Sequence, residues 1–179
     1  MNITFSKGAA PKTGALVAPV TQGQDIAKAL AGLGRAAITQ AKHAASADGF
    51  TGKPGQALEV LAPSGLKNSR LLLFGLGKAS GLDGEKIERF GARAVVRLLR
   101  TRDAAAAFLL EGVSTDEISN AEAAARAAFG ARLRAYRFDR YRSTLKPDQN
   151  PSLNKITVRC DNANAGRDAF ADIAARAEG

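Results

Sequence analysis

The sequence predicts an α/β fold in which a mixed sheet of about six strands is flanked by helices, and three observations carry this prediction. Short apolar runs alternate with longer amphipathic stretches, as in α/β proteins. A length of 179 residues suits one domain. The 45% of hydrophobic and 24% of charged residues are close to the globular average, which excludes a disordered or fibrous chain. We therefore expect a single domain over residues 1–179.

Six apolar runs predict the strands. The fourth run is the clearest, because large apolar residues are followed at once by Gly-Leu-Gly, which is typical of a strand that is buried on both faces and ends in a turn. Several of the other runs are short, and we expect the sheet to be mixed. The predicted strands are Ile3–Phe5, Ala15–Pro19, Leu58–Leu61, Leu71–Phe74, Ala105–Leu110 and Ile156–Val158.

Amphipathic stretches predict the helices. Between Glu85 and Arg100 apolar residues recur at intervals of three and four, with charged residues on the other side. The Ser-x-x-Glu segment Ser114–Glu117 resembles a capping box and predicts the start of a second long helix. Within that helix Gly130 costs about 1 kcal/mol relative to alanine. Two further helices are predicted at about Arg35–Ala45 and at about residues 165–178.

Cysteine and histidine are each present once. Cys160 has no partner for an internal disulfide, and with His43 alone it cannot build a zinc site of the Cys/His kind. No run approaches the roughly 18 apolar residues of a membrane-spanning helix, and the first residues do not resemble a signal peptide. We therefore expect a cytoplasmic protein without membrane contact, whose fold depends on packing.

The chain is strongly basic. Its 26 Lys and Arg residues against 17 Asp and Glu residues give a formal net charge of +9 and a pI near 10.1. Such an excess favours contact with polyanions without identifying one. Tryptophan is absent and there are only two tyrosines, so a surface that stacks on single-stranded bases is not expected.

Arginines crowd the end of the second predicted long helix. The helix dipole favours cations at this end, which is one interpretation of the cluster. Guanidinium groups also suit phosphate, and aromatic residues are interleaved among them, so a DNA-binding surface is the other interpretation. The candidate nucleic-acid-binding residues are Arg132, Arg134, Arg137, Arg140 and Arg142.

A glycine loop follows the fourth predicted strand. Gly75, Gly77 and Lys78 lie between a strand and a helix, where phosphate-binding loops occur. The match is incomplete, because Leu72 and Ala79 stand where a Walker A loop needs Gly and Ser or Thr. The other interpretation is that the glycines only let the chain turn tightly at the end of a buried strand.

No catalytic residue and no metal ligand is expected in this chain. His43 lies in a helical stretch without a neighbouring nucleophile. Cys160 follows an apolar strand, where a structural thiol is more common than a reactive one. The acidic residues that are close in sequence stand at predicted helix starts, which the helix dipole favours without any metal.

Three segments in this order resemble the N-terminal domain of leucyl aminopeptidases, also called cytosol aminopeptidases. The third is the most specific, because family members carry Tyr-x-Phe-x-x-Tyr at a helix end. With the order of strands and helices, the resemblance covers most of the chain. The segments are Asp48–Gly55 (Asp-Gly-Phe-Thr-Gly-Lys-Pro-Gly), Arg70–Lys78 (Arg-Leu-Leu-Leu-Phe-Gly-Leu-Gly-Lys) and Leu133–Tyr141 (Leu-Arg-Ala-Tyr-Arg-Phe-Asp-Arg-Tyr).

The resemblance implies a non-catalytic domain of a larger enzyme. Family members release N-terminal amino acids from peptides, and their C-terminal domain holds two divalent metals, zinc or manganese, whose bound water attacks the peptide carbonyl. The family signature there is Asn-Thr-Asp-Ala-Glu-Gly-Arg-Leu, and the nearest segment, Asn162–Asp168, lacks both ligand carboxylates. We therefore expect the catalytic domain and its metals to be absent from this chain, with the helix at about residues 165–178 as the linker to that domain.

The resemblance also implies a fold and partners. The family's N-terminal domain is similar to the macro domain, a three-layer fold, and it contributes to a hexamer. We therefore expect a macro-domain-like fold that serves assembly and access to the active site. Macro domains bind ADP-ribose, although this chain lacks their typical Asp and glycine-rich loops, and some bacterial family members bind DNA. Two alternatives stay open: a DNA-binding module and a macro-type nucleotide binder.

Overall fold

The computed structural model describes residues 1–140 and 152–178, without the side chains of residues 137–140 and 178. Strands and helices alternate through this part of the chain. The strands are β1 (Asn2–Ser6), β2 (Ala15–Thr21), β3 (Ala57–Leu61), β4 (Arg70–Gly77), β5 (Ala105–Leu109) and β6 (Lys155–Arg159). The helices are α1 (Ile26–Ala29), α2 (Arg35–Asp48), α3 (Gly84–Leu98), α4 (Asn120–Arg140) and α5 (Ala163–Glu178), with a 3-10 turn at Ala79–Gly81. None of the described helices is long and apolar enough to span a membrane.

The strands form one mixed sheet in the order β1-β6-β5-β2-β4-β3. Neighbours are parallel from β1 to β4, and β3 pairs antiparallel with β4 at the edge. All of the predicted strands are present, and the mixed six-stranded sheet between helices confirms the predicted fold class. The chain passes from β4 on one side of β2 to β5 on the other. Such a reversal creates a topological switch point at the carboxyl ends of the central strands.

Two apolar cores lie on opposite faces of the sheet, because successive strand residues point to opposite sides. Leu72 and Phe74 belong to the core beneath α3, α4 and α5, whereas Leu71 and Leu73 belong to the core beneath α1 and α2. The aromatic rings of Phe74 and Phe90 meet edge to face at 5.9 Å between centroids. The protein is therefore a three-layer α/β structure in which a single sheet serves both cores.

Helices α3 and α4 cross at very short range. A Cβ atom on Gly91 would lie 1.9 Å from the carbonyl oxygen of Ala127, and one on Gly130 would lie 2.0 Å from that of Glu88. Since these are backbone atoms in the facing helix, neither glycine can be replaced without moving a helix. Gly130 is thus a requirement of the helix packing as well as a weak helix former.

Helix α4 does not begin at the predicted capping box, so this prediction is wrong. The hydroxyl of Thr115 accepts the N–H groups of Glu117 and Ile118 at 3.3 and 3.2 Å and closes a turn there. That turn buries Ile118 in the core. The helix starts at Asn120, and Ser119 caps it by accepting the N–H of Glu122 at 3.2 Å. Ser119 and Glu122 form a second Ser-x-x-Glu sequence, five residues after the first.

Candidate functional site

A cleft of about 740 Å³ opens at the carboxyl ends of β2, β4 and β5. It is lined by the strand ends, by Gln22–Asp25 and Lys28 after β2 and by Glu111–Thr115 after β5. This is the switch point of the sheet, where open α/β proteins bind their ligands. The volume lies within the range of small-molecule sites, roughly 300–1,000 Å³. The cleft is therefore the candidate functional site.

The segment after β2 is held in place by its own side chains. The Gln24 side-chain oxygen accepts the N–H of Thr21 at 2.9 Å and the hydroxyl of Thr21 at 3.0 Å. Asp25 caps α1 by accepting the N–H of Ala27 at 2.9 Å and pairs with Lys42 at 2.9 Å. The hydrogen bonds from Lys42 and Ala27 lower the pKa of Asp25 below its usual value. This wall of the cleft is thus fixed, and the Asp25 carboxylate is already paired.

Hydrogen bonds also fix the segment after β5. The N–H of Gly112 donates to the carboxylate of Asp161 at 3.0 Å, and the N–H of Asp161 donates to the side chain of Asn120 at 2.8 Å. Asn120 in turn donates to the carbonyl oxygens of Leu110 and Val113 at 2.6 and 3.1 Å. The first residue of α4 therefore ties the loop after β5 to the loop after β6.

A buried arginine lies behind the cleft. Arg159 ends β6, is only 4% exposed, and pairs with Glu111, which lines the cleft. Its Nε and Nη1 atoms are buried and have no hydrogen-bond partner among the described residues. Leaving buried donors unpaired costs free energy, about 1–3 kcal/mol for each group and more on a charged side chain. Arg159 is therefore the most unusual polar residue near the cleft.

The predicted glycine loop lies inside a strand, because β4 continues beyond its predicted end at Phe74 to Gly77. The N–H of Gly75 donates to Gln56 at 3.0 Å and that of Gly77 donates to Gly52 at 2.9 Å. Both amides are thus occupied by the chain itself, and the exposed Lys78 follows the strand. A phosphate loop at these three positions stays a prediction, and the contacts argue against it.

The predicted arginine cluster is only partly described. Arg132 and Arg134 are exposed on α4, and the guanidinium of Arg132 lies 6.0 Å from the ring centroid of Phe170. The side chains of Arg137 and Arg140 and the whole of Arg142 lie outside the described residues. A nucleic-acid surface at this cluster therefore stays a prediction.

The residues weighed as nucleophiles or metal ligands do not converge on the cleft. His43 is exposed on α2, and Cys160 is fully buried, where burial raises the pKa of its thiol. Within residues 1–140 and 152–178, no three His, Cys, Asp or Glu side chains are gathered so that they could hold a metal ion.

Sequence reasoning missed Gln24 and Glu111, which line the cleft, and Arg159, which pairs with Glu111. Gln24, Glu111 and Arg159 belong to three segments that are far apart in the chain. The available signal for Arg159 was weak. It is a charged residue directly after the apolar run that ends at Val158, and it is the last residue of β6. Only the pairing of β5 with β6 brings Arg159 next to the segment that holds Glu111.

Comparison with known sequences points to one family. Residues 16–145 match the model of the cytosol aminopeptidase family, N-terminal domain. A probable cytosol aminopeptidase of Rhodopseudomonas palustris is 36% identical over 172 residues, which are 95% of this chain and 34% of that protein. One of Rhizobium etli is 35% identical over 180 residues, which are 99% of this chain and 35% of that protein. The chain thus spans about a third of the length of these relatives.

Solved structures share the fold. A mutant of tomato leucine aminopeptidase aligns with a TM-score of 0.68 at 21% identity, over 94% of this chain and 35% of the other. The bottromycin maturation enzyme BotP aligns with a TM-score of 0.61 at 22% identity, over 89% of this chain and 29% of the other. At such identities the likeness concerns the fold alone.

Proposed function

Because this chain belongs to the cytosol aminopeptidase family and matches its N-terminal domain, we propose that it is the non-catalytic N-terminal domain of a metal-dependent leucyl aminopeptidase, which releases N-terminal amino acids from peptides. The observation that carries the proposal is the family match over residues 16–145. The length of the relatives supports it, since the chain spans only 34% and 35% of the two described above. The remainder of such a protein would hold the catalytic domain, with α5 as the linker.

The proposal assigns two divalent metals, zinc or manganese, to that catalytic domain. Such metals polarise a carbonyl group and generate a nucleophilic hydroxide at neutral pH. One observation supports this assignment: a solved structure of BotP is a complex with manganese.

Assembly and access to the active site are the roles that we propose for the domain, within a hexamer. An apolar groove of about 500 Å³ between α4 and α5 supports this. Tyr136, Leu133 and Met1 line it and are 62%, 42% and 43% exposed. Contiguous exposed apolar patches often mark interfaces. Ala174 and Ala177 of α5 line the same groove, so the catalytic domain that follows the proposed linker is the partner that we place there.

The first prediction concerns catalysis. The purified chain of 179 residues is expected not to hydrolyse leucine p-nitroanilide, with or without added manganese or zinc, because the proposal places the metal ligands in another domain. The rate of nitroaniline release is the measurement, and the full-length Rhizobium etli relative is the matched positive control. Turnover by the rigorously purified chain would contradict the proposal.

A second test needs only the gene. Reading the coding sequence after Gly179 is expected to show an in-frame continuation that encodes Asn-Thr-Asp-Ala-Glu-Gly-Arg-Leu. An immediate stop codon would contradict the proposal. The domain would then be free-standing, and binding of DNA or of a nucleotide would become the leading explanation.

A DNA-binding module is the alternative, favoured by the net charge of +9 and by the exposure of Arg132 and Arg134. It predicts binding to duplex DNA that weakens steeply with salt. Arg134→Ala should weaken binding and lower the salt slope by about 1. Arg35→Ala is the control, since Arg35 is exposed at the start of α2, on the other face of the sheet. It should change DNA binding and its salt slope less. Absence of binding at low salt, or equal effects of the two variants, would remove this alternative.

A further inference from the structure

A groove of about 350 Å³ lies at the opposite end of the sheet from the cleft. Its walls are the segments that precede β2, α2 and β4, which are Ala9–Lys12, Gly32–Leu33 and Gly65–Asn68. Because β2 and β4 are parallel neighbours, the segments before them meet at the same edge of the sheet. The volume lies within the range of small-molecule sites, roughly 300–1,000 Å³. The groove is therefore large enough for a small ligand.

Asn68 places a buried acceptor oxygen in this groove. The residue is only 5% exposed, and its Nδ2 donates to the carbonyl oxygens of Pro11 and Gly14 at 3.0 and 3.2 Å. These bonds fix the amide, since turning it over would set Oδ1 against two acceptors. No residue of the described part of the chain donates to Oδ1. Because buried polar groups almost always have a partner, this oxygen points to a ligand with an N–H or O–H donor.

The charge around the groove is positive. Lys12 and Lys67 line it, are exposed, and form no ion pair with a described residue. Helix α2 begins beside it, and the N-cap residue Gly34 offers no side-chain acceptor to the first N–H groups of that helix. A Cβ atom on Gly65 would lie 3.7 Å from that of Ala36, so the groove wall adjoins this first turn. Free N–H groups and the helix dipole favour an anion such as a carboxylate.

The rest of the groove is apolar. Ala10, Leu33 and Leu66 line it and pack against the core beneath α1 and α2. An apolar side chain placed on these residues is removed from water, which favours binding. The groove thus offers an acceptor, a positive region and an apolar wall within one small volume.

We propose that this groove binds an apolar amino-acid residue with a free carboxylate, either as a free amino acid or at the carboxyl terminus of a peptide. The carboxylate binds near Lys12, Lys67 and the start of α2, and the neighbouring N–H group donates to Oδ1 of Asn68. The side chain contacts Leu33 and Leu66. Inorganic phosphate would satisfy only the positive region, and a simple amine only Asn68. The proposal goes beyond the aminopeptidase assignment and does not depend on it.

Calorimetric titration of the 179-residue chain tests the ligand class. N-acetylleucine carries the carboxylate, the N–H group and the side chain, whereas N-acetylleucinamide lacks the carboxylate and 4-methylpentanoate lacks the N–H group. We expect N-acetylleucine to bind at least about tenfold more tightly than either, because each of them leaves one polar group of the groove unpaired. Equal affinity for N-acetylleucinamide would overturn carboxylate recognition, and equal affinity for 4-methylpentanoate would overturn the role of Asn68.

Titration with leucine separates the two sources of the ligand. Tighter binding of leucine than of N-acetylleucine supports a site for the free amino acid, and weaker binding supports a site for the end of a peptide. Absence of binding by both compounds at millimolar concentration would overturn the proposal.

A matched pair of variants tests the location. Lys67→Glu reverses a charge in the groove. Lys53→Glu makes the same change at another exposed lysine without a described ion pair, beside Gly75 near the carboxyl end of β4. Lys67→Glu should weaken N-acetylleucine binding by about tenfold or more, while Lys53→Glu should change it by less than about twofold. Equal affinities of the two variants would overturn the assignment to this groove.

Leu66→Ala tests the apolar wall. The unchanged chain is expected to bind N-acetylleucine at least about fivefold more tightly than N-acetylglycine, which has no side chain to bury. Leu66→Ala should reduce this preference, whereas Leu61→Ala, on the exposed edge strand β3, should leave it unchanged. Thermal unfolding shows whether both variants fold. A folded Leu66→Ala variant with the full preference would overturn the placement of the side chain.

Discussion

At the scale of single residues, Asp103 illustrates how charge is stabilised in this protein. It is 8% exposed and accepts hydrogen bonds from the hydroxyl of Ser69 and from Nε of Arg70, the latter at 2.6 Å. Arg70 also pairs with Glu59, which pairs with Arg97 as well. Burial alone would raise the pKa of Asp103, but these hydrogen bonds and the charge of Arg70 hold it below its usual value. The ionised form is thus the stabilising one.

Asp103→Asn is expected to lower the free energy of unfolding by about 1–3 kcal/mol at pH 7, because it weakens a buried charged hydrogen-bond network. A lowered pKa contributes stability above the unfolded-state value of about 3.9, and this contribution is lost as the pH falls through the lower folded-state value. The difference between the two proteins should therefore shrink below about pH 4. Urea unfolding of both proteins at several pH values measures this difference in the free energy of unfolding.

The control for this prediction is Asp116→Asn. Asp116 is exposed in the loop before α4, and its replacement should change stability by less than about 0.5 kcal/mol. A loss for Asp103→Asn that is equally large at pH 3 and pH 7 would contradict the assigned cause.

At the scale of elements, helix packing reverses an expectation from helix propensity. Propensity alone predicts that Gly130→Ala stabilises the chain by about 1 kcal/mol. In the folded protein the new Cβ atom would lie 2.0 Å from the carbonyl oxygen of Glu88. We therefore expect Gly130→Ala to destabilise it by about 1–3 kcal/mol through overpacking between α3 and α4. The sign of the change in the urea midpoint distinguishes stabilisation by helix propensity from destabilisation by overpacking.

Gly81→Ala is the control for Gly130→Ala. Among the described residues, a Cβ atom at Gly81 would meet only the flexible end of Lys86, at 3.7 Å, so a change within about 0.5 kcal/mol is expected. Stabilisation by Gly130→Ala would show that α3 and α4 do not pack as closely as described.

At the scale of the whole molecule, one sheet joins the two cores, and we expect them to unfold together. Leu73→Ala creates a cavity in the core beneath α1 and α2, which should cost about 2–5 kcal/mol. Cys160 is buried in the other core, and burial keeps it a thiol, so it should react with Ellman's reagent only on unfolding. Leu73→Ala should therefore lower the denaturant midpoints of circular dichroism and of Cys160 labelling equally.

Leu61→Ala serves as the control for Leu73→Ala, since Leu61 lies on the edge strand β3 and is 62% exposed. It should shift both midpoints only slightly. Two separate midpoints in Leu73→Ala, one for each probe, would show that the faces of the sheet unfold independently.

The sequence by itself determined the fold class, all of the strands and the family resemblance. These depend on local patterns, because the spacing of apolar residues within a segment indicates whether that segment forms a strand or a helix. Only the tertiary structure decided which Ser-x-x-Glu sequence starts α4, since Thr115 closes a turn that buries Ile118. It likewise decided that the N–H groups of Gly75 and Gly77 donate to backbone carbonyl oxygens of the chain itself. The cleft joins segments distant in sequence at the carboxyl ends of parallel strands, and contacts over such distances leave no local pattern to read.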